Sequence, residues 1–365
     1  MIQQICTRRF MQFHDRGDVV TILGDAKIKD FQRRGLLFST GKFWAGVRAT
    51  CEPMFHRAAL QGYVPMMRGS VDKMVDRVSG LADTNESVPI SDVLADMTMD
   101  VIGQTIFGVD FKAQEKEQST DVVKYARALF LPYGGMRPWV SQLSFIAPFG
   151  RSLWYELGCI FARESIEAAY TAFGYIWGAT FMLLQNALKS ENGPTLKAPL
   201  QTQGFKAGEE AFKNEVPPPS SFTHMIRKAT NRDTGEGLSE TDICAQSFTM
   251  LVAGYETTAL SLSYLFYVVA RYPDIQRNIL KEIDAFGRGK DVKYEDLENF
   301  KYIEGVFKET MRMYPPVSPI VALKREAGPG AAIGDIPIPE GTRVQFNIWD
   351  LHHNPEYFPS PDEFR

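Results

Sequence analysis

The stretch Ser239–Asp274, SETDICAQSFTMLVAGYETTALSLSYLFYVVARYPD, decides the fold. From Ile243 to Ala270 its only charged residue is Glu256. Ser239 is placed to cap a helix, and Asp242, three residues on, suits a helix N-terminus. The apolar run continues to Val269 and stops before Pro273. About 30 residues at 1.5 Å each make a rod of roughly 45 Å, enough to cross a whole domain. Being largely uncharged on all sides, the rod is expected in the core of the protein.

Working outward, the chain reads as mainly α with a small β region. Val64 to Leu81 has apolar residues at helical spacing (Met67, Val71, Met74, Val75, Val78). Ser91 is placed to cap a helix from Asp92 to about Phe107, stopped by Gly108. Residues 153–190 read as one or two long helices. Within them, 168–188 carries no charge over 21 residues. A buried or pocket-lining helix is the first expectation for it, with an interfacial helix or a membrane span as alternatives. Residues 191–221 are polar, Pro-rich and aperiodic, which predicts a surface loop. Beyond the central rod, Pro273-Asp274 opens a helix with Ile275, Ile279 and Ile283 on one face. Tyr302 to Met313 forms the next, ended by Pro315-Pro316. A turn signal at Pro339–Thr342 then precedes alternating Val344, Phe346 and Ile348, a half-buried strand.

Composition removes several classes. With 44% hydrophobic and 23% charged residues, the 365-residue chain is globular rather than disordered. A net charge of −4 argues against a nucleic-acid partner. The four cysteines, Cys6, Cys51, Cys159 and Cys244, stand singly, so no zinc ribbon or thioredoxin-like pair is present. Met1–Arg16 has no apolar signal-peptide segment. No G-x-x-x-x-G-K-[ST], G-x-S-x-G or H-E-x-x-H occurs.

Four motifs carry possible chemistry. In Ala253-Gly254-Tyr255-Glu256-Thr257-Thr258, two small residues precede an acid and a hydroxyl. Small residues admit a flat ligand close to the helix, and a hydroxyl can open the backbone ladder beside it. A kinked core helix with a structural threonine pair is the alternative. Glu309-Thr310-Met311-Arg312 places an acid and a guanidinium at i,i+3, able to pair or to form an exposed ion pair of little worth. Trp44 and Arg48 share a face at i,i+4. They could grip one anionic planar partner, or the indole could sit in the core while the arginine reaches water. In the tail, Ile338-Pro339-Glu340-Gly341-Thr342 is followed by His352-His353-Asn354-Pro355-Glu356-Tyr357-Phe358 and Pro361-Asp362-Glu363-Phe364-Arg365. Adjacent histidines rarely reach one ion, so no metal site is assigned to them.

The order W-x-x-x-R, A-G-x-E-T-T, E-x-x-R, I-P-x-G-T and H-x-N-P-x-x-F-x-x-P-x-x-F-R resembles the cytochrome P450s, the haem-thiolate monooxygenases. The resemblance covers essentially the whole chain. GLLFSTGKFWAGVRA, DMTMDVIGQTIFGVDF and MLVAGYETTA are most similar to the microsomal thromboxane-synthase-like branch, and VSPIVALKRE to the plant carlactone oxidases. The resemblance implies a single cytochrome P450 domain over 1–365, cut short at both ends. It further implies haem b, dioxygen, a hydrophobic small-molecule substrate and electrons from NADPH through a reductase. It places the protein at the cytosolic face of the endoplasmic reticulum membrane. By the same resemblance Thr257 is the hydroxyl that steadies the reacting oxygen, and Glu256 its acid partner in proton delivery. Ala253 and Gly254 leave room for haem, while Trp44, Arg48 and Arg325 contact its propionates. Thr249, Val252, Val317, Ile320 and Val321 line the substrate pocket, and Glu309–Arg312 is a structural pair.

One departure matters. The family's cysteine ligand, in F-x-x-G-x-R-x-C-x-G, is not in this sequence, and none of the four cysteines has that setting. The thiolate favours O–O cleavage, so without it Glu256 and Thr257 have nothing to serve. The expectation is a fragment of a monooxygenase, inactive as it stands and of doubtful stability. The alternative is a haem-free, non-catalytic binder of an apolar ligand or a partner.

Overall fold

The computed structural model describes residues 4–13, 30–31, 33–82, 87–115, 121–134, 163–193, 204–230, 235–317 and 324–365, together with Ile2, Asp15, Thr195 and Leu196. After short turns at the start come α1 (Gly41–Cys51), α2 (Arg57–Ala82), α3 (Ile90–Ile102) and α4 (Asp121–Gly134). Then follow α5 (Arg163–Ser190), α6 (Phe205–Ala211), α7 (Phe222–Lys228), α8 (Glu240–Gly254) and α9 (Glu256–Arg271). The helical series continues with α10 (Pro273–Phe286) and α11 (Lys301–Met313). The β region is β1 (Lys324–Glu326), β2 (Ala332–Ile333), β3 (Ile336–Pro337) and β4 (Arg343–Gln345), and α12 (Ile348–His352) follows it. Mainly helical structure with a small β region is the predicted class. The chain forms two compact units, one of Met1–Gly17, Met74–Thr98 and Gly254–Arg365, the other of Asp18–Lys73 and Met99–Ala253.

In the first unit, α9, α10 and α11 pack together. Both oxygens of Glu282 on α10 accept backbone N–H groups at the start of α11, from Tyr302 at 2.7 Å and Ile303 at 2.9 Å. A carboxylate there meets unsatisfied donors and the positive helix end at once. Antiparallel β1 and β4 pair Arg325 with Val344, and β2 pairs with β3. Phe346, Ala327 and Ala331 bury against Ile5 and Phe13, with Val344 and Ile348 at the edge of that cluster. A second cluster joins Met74, Val93, Leu94 and Met97, with Leu262 packed on it.

The second unit is built on α5. Its apolar residues from Ala169 to Leu188 are nearly all buried, so the charge-free stretch is a core helix. No helix among the described residues is long and apolar enough to cross a membrane. Helix α5 packs against α4 and α6. The crossing with α6 is so close that a Cβ on Gly208 would lie 1.9 Å from the Tyr175 carbonyl oxygen. A Cβ on Gly178 would lie 2.0 Å from that of Phe205. Gln246 on α8, wholly buried, accepts from Leu36 N at 2.7 Å and donates to the Arg34 carbonyl at 2.7 Å.

Several expectations need correction. The predicted loop at 191–221 contains α6 and the buried Phe205 and Phe212. Its polar composition hid two aromatic anchors seven residues apart. Helix α2 starts at Arg57 rather than Val64 and carries Pro65 inside it. Of its five apolar positions Met74 is buried, whereas Met67, Val71 and Val75 are exposed. Helix α3 starts at Ile90, with Pro89 O accepting from Asp92 and Val93, so Ser91 lies inside it and does not cap it. Gly108 does end its wide final turn, in the left-handed conformation at φ 71°. The predicted rod is two helices, and only its first half is buried all round. Helix α9 buries Ala259, Ser261, Ser263 and Val268 while Phe266 and Tyr267 are exposed. Residues 153–162 lie outside the described residues.

Candidate active site

The site is centred on the interruption between α8 and α9. Helix α8 begins as its sequence predicts: Ser239 Oγ accepts from Asp242 N at 3.3 Å, and Asp242 Oδ2 accepts from Ser239 N at 3.3 Å. Thr249 is buried, and its hydroxyl donates to the Ala245 carbonyl at 2.7 Å. Val252 is half-buried, Ala253 exposed and Gly254 half-buried, directly after a run of buried residues. Tyr255, at φ −74° and ψ −75°, breaks the helix. Its carbonyl accepts from Ala259 N at 3.1 Å and from the buried Thr98 hydroxyl at 3.4 Å. Glu256 and Thr257 open α9, both half-buried, with Thr258 exposed. The first turn of a helix favours a carboxylate electrostatically. Ser261 donates to the Thr257 carbonyl at 2.8 Å and Ser263 to that of Ala259 at 2.8 Å. Such back-bonding bends helices and loosens their ladder. The result is an open small-residue stretch followed at once by an acid and an alcohol. A kink here is one of the two readings the motif allows; Thr98 carries no sequence signal.

The Glu309–Arg312 pair is buried, not the exposed pair that the weaker alternative allowed. Arg312 Nε and Nη2 donate to the two Glu309 oxygens at 2.8 Å and 2.7 Å, a bidentate fork. The remaining donors reach the carbonyls of His352 and Pro361 at 2.8 Å and of Glu363 at 3.2 Å. The guanidinium also lies 4.9 Å from the Phe358 ring centroid. Arg365 N donates to Glu309 at 3.1 Å. The side chains of Arg312 and Glu309 are only 6% and 15% exposed. Burial alone would raise the Glu309 carboxyl, but the Arg312 and Arg365 hydrogen bonds outweigh it and hold it below the usual carboxylate range. The hydrogen bond to Glu309 raises Arg312 against the opposing effect of burial. The tail motif H-x-N-P-x-x-F-x-x-P-x-x-F-R is therefore a cradle for one arginine. Its histidines serve separate ends: His352 Nδ1 lies 3.2 Å from the Arg312 carbonyl, and His353 stacks on Trp349.

Other candidates stand on other elements. Trp44 and Arg48 share one face of α1, the guanidinium 5.7 Å from the indole centroid. Arg325, on β1 in the other unit, lies 6.0 Å from the Phe10 ring. Val317 is exposed. Ile320 and Val321 lie outside the described residues.

The family model described as Cytochrome P450 matches residues 1–167 and 200–365. The chain belongs to the cytochrome P450 family. Cytochrome P450 3A16 of Mus musculus is 28% identical over 330 residues, covering 88% of this chain and 58% of that protein. Cytochrome P450 4V2 of Mus musculus is 28% identical over 334 residues, covering 91% and 58%. Cytochrome P450 4A2 of Rattus norvegicus is 28% identical over 363 residues, covering 96% and 65%. The chain thus spans about three fifths of the length of the curated P450 relatives it matches. The P450 family model passes over residues 168–199, which include most of α5.

P450s are haem proteins, so the residues can be tested against that group. The exposed Ala253 and half-buried Gly254, beside Glu256 and Thr257, fit one face of a flat ring. The described cysteines do not fit the iron. Cys51 is buried, and burial pushes its thiol up to about 12. Cys244 is also buried and is raised by burial, with Glu240 and Asp242 adding to the effect. A ligating sulfur must be a thiolate, and Cys6, half-buried, lies in the outer cluster around Ile5 and Phe13. Among the described residues no group of His, Cys, Asp and Glu side chains could hold a metal ion.

Proposed function

We propose that this chain is the oxygen-handling part of a monooxygenase that inserts one atom of dioxygen into a hydrophobic small molecule. Electrons would come from an NADPH-dependent reductase. By resemblance, Ala253, Gly254, Trp44, Arg48 and Arg325 are the residues that would hold haem, which would supply dioxygen binding and oxygen-atom transfer. Glu256 accepts a proton from solvent and passes it inward, since a half-buried carboxylate touches both environments. Thr257 positions the proton's destination through its hydroxyl. Thr249 and Val252 present a mainly apolar wall to the substrate, as ligand pockets commonly do. The observation that carries this proposal is the break at Tyr255, which puts an acid and an alcohol at a helix start directly after the exposed Ala253 and half-buried Gly254. By resemblance, the protein works at the endoplasmic reticulum membrane.

The setting of the four cysteines, none of which stands in F-x-x-G-x-R-x-C-x-G, supports a second element: these 365 residues, alone, are catalytically silent. A haem-free ligand-binding role is the competing proposal on the same ground. The test is made in the protein that supplies the missing sulfur. There Thr257→Ala should consume NADPH with little oxygenated product, and Glu256→Gln should slow NADPH consumption. Unchanged product per NADPH in Thr257→Ala together with unchanged NADPH consumption in Glu256→Gln overturns the assignment.

A further inference from the structure

Trp177 lies in the middle of α5, in the part of the helix that the P450 family model passes over. It is only 3% exposed, and among the described residues its indole Nε1 has no hydrogen-bond partner. Its surroundings are aromatic. The Phe31 ring lies 4.4 Å from it, Phe173 5.6 Å and Phe205 6.1 Å, centroid to centroid. Phe248 of α8 packs on Phe31 at 5.8 Å and on Phe173 at 5.1 Å. Phe173 and Phe205 stand edge-to-face with the indole and offer only a weak π acceptor.

A buried donor without an acceptor is unfavourable and rare, and a phenylalanine would fill the same apolar surroundings without that cost. The neighbouring sequence shows no difficulty in satisfying polar groups. Thr180, one turn on, donates to the Ile176 carbonyl at 2.8 Å. Asn186 Nδ2 faces the carbonyls of Phe212, Lys213 and Glu215 at 2.8–3.0 Å. Phe248 directly precedes Thr249, which the functional proposal puts in the substrate wall, so the box and that wall share α8.

We propose that Trp177 is the polar anchor of a ligand subsite in this aromatic box. The site takes a flat, apolar molecule carrying one uncharged hydrogen-bond acceptor, such as a ketone or ether oxygen. The four phenylalanine rings supply the apolar faces, and Nε1–H selects the acceptor. This subsite deepens the proposed function by naming a substrate class, and it rests on that proposal only for the chemistry that follows binding.

Two probes of nearly one shape separate the ideas: 9-fluorenone, with a carbonyl, and fluorene, without one. Both are titrated calorimetrically into the full 365-residue chain without haem. Wild type should bind fluorenone about fivefold tighter, the ratio that a hydrogen bond of about 1 kcal/mol gives. Trp177→Phe should bring the two to equal affinity. A second measurement needs no variant: the carbonyl stretch of bound fluorenone should fall below its value in an apolar solvent. Equal affinities in wild type, no saturable binding of either probe, a preference that survives Trp177→Phe, or an unshifted carbonyl stretch each overturns the proposal. Unchanged coupling in Thr257→Ala and unchanged NADPH consumption in Glu256→Gln, measured in the protein that supplies the sulfur, would sink the oxygenase proposal while leaving this result intact.

Discussion

Replacing Arg312 with alanine should remove most of the stability of the first unit. The side chain is almost completely buried and gives two hydrogen bonds to Glu309 and one each to the carbonyls of His352, Pro361 and Glu363. Breaking a buried pair by removing one partner costs about 3–5 kcal/mol, because the other charge stays buried. Carbonyls left short of a donor add to this, at about 1 kcal/mol for each that water cannot reach. Contributions within one network are not additive, so about 4–6 kcal/mol is the working figure, against a typical total of about 5–15 kcal/mol. Arg312→Lys keeps the charge but loses the fork and should cost about half as much. Urea unfolding of the full chain gives the free energies, and hydrogen exchange over 348–365 shows whether the cradle opens first. A loss below about 1 kcal/mol for Arg312→Ala, with unchanged exchange in the tail, would refute the cradle.

The same pair sets a pH dependence. Glu309 is depressed in the folded state. Its contribution is therefore complete above the unfolded carboxylate value of about 4.3 and is lost as pH falls through the folded one. Acid unfolding of Glu309→Gln should lack that component, as a pH series of urea midpoints would show. Glu191 is lowered to about 2, first by its hydrogen bond to Arg227 and then by that to Lys228. Hydrogen exchange over 222–228 should accordingly rise as pH drops from about 4 toward about 2, and Glu191→Gln should exchange faster already at neutral pH. Gly208→Ala should destabilise by about 3 kcal/mol or more, because backbone carbonyl occupies the space its Cβ needs. Gly305→Ala, inside α11 with nothing within 4 Å of the added carbon, should stabilise by up to about 1 kcal/mol. Melting curves of the two variants check both signs.

Much of the fold was legible because its signals are local. The Ser239–Asp242 cap, the Gly108 stop and the Pro273 start each lie within a few residues of their cause, whereas the strand read through Val344, Phe346 and Ile348 ends at Gln345 and Ile348 opens α12. What escaped is non-local. Burial of Phe205 and Phe212 depends on three glycines of α5 and the segment beside it, far apart in sequence, letting two backbones touch. The exposure of Met67, Val71 and Val75 shows that helical spacing marks a face without saying what covers it. At the site, A-G-x-E-T-T announced a perturbed helix, but the Thr98 hydroxyl at its bend comes from α3. E-x-x-R announced a pair; the carbonyls that make Arg312 indispensable come from 40 to 51 residues downstream.

The most direct test of the account is the reduced carbon monoxide spectrum of the 365-residue chain after addition of haem. The account predicts no thiolate-type Soret band, since none of the four cysteines stands in the family's ligand motif and Cys51 and Cys244 are buried. A thiolate-type band from this chain alone would contradict it.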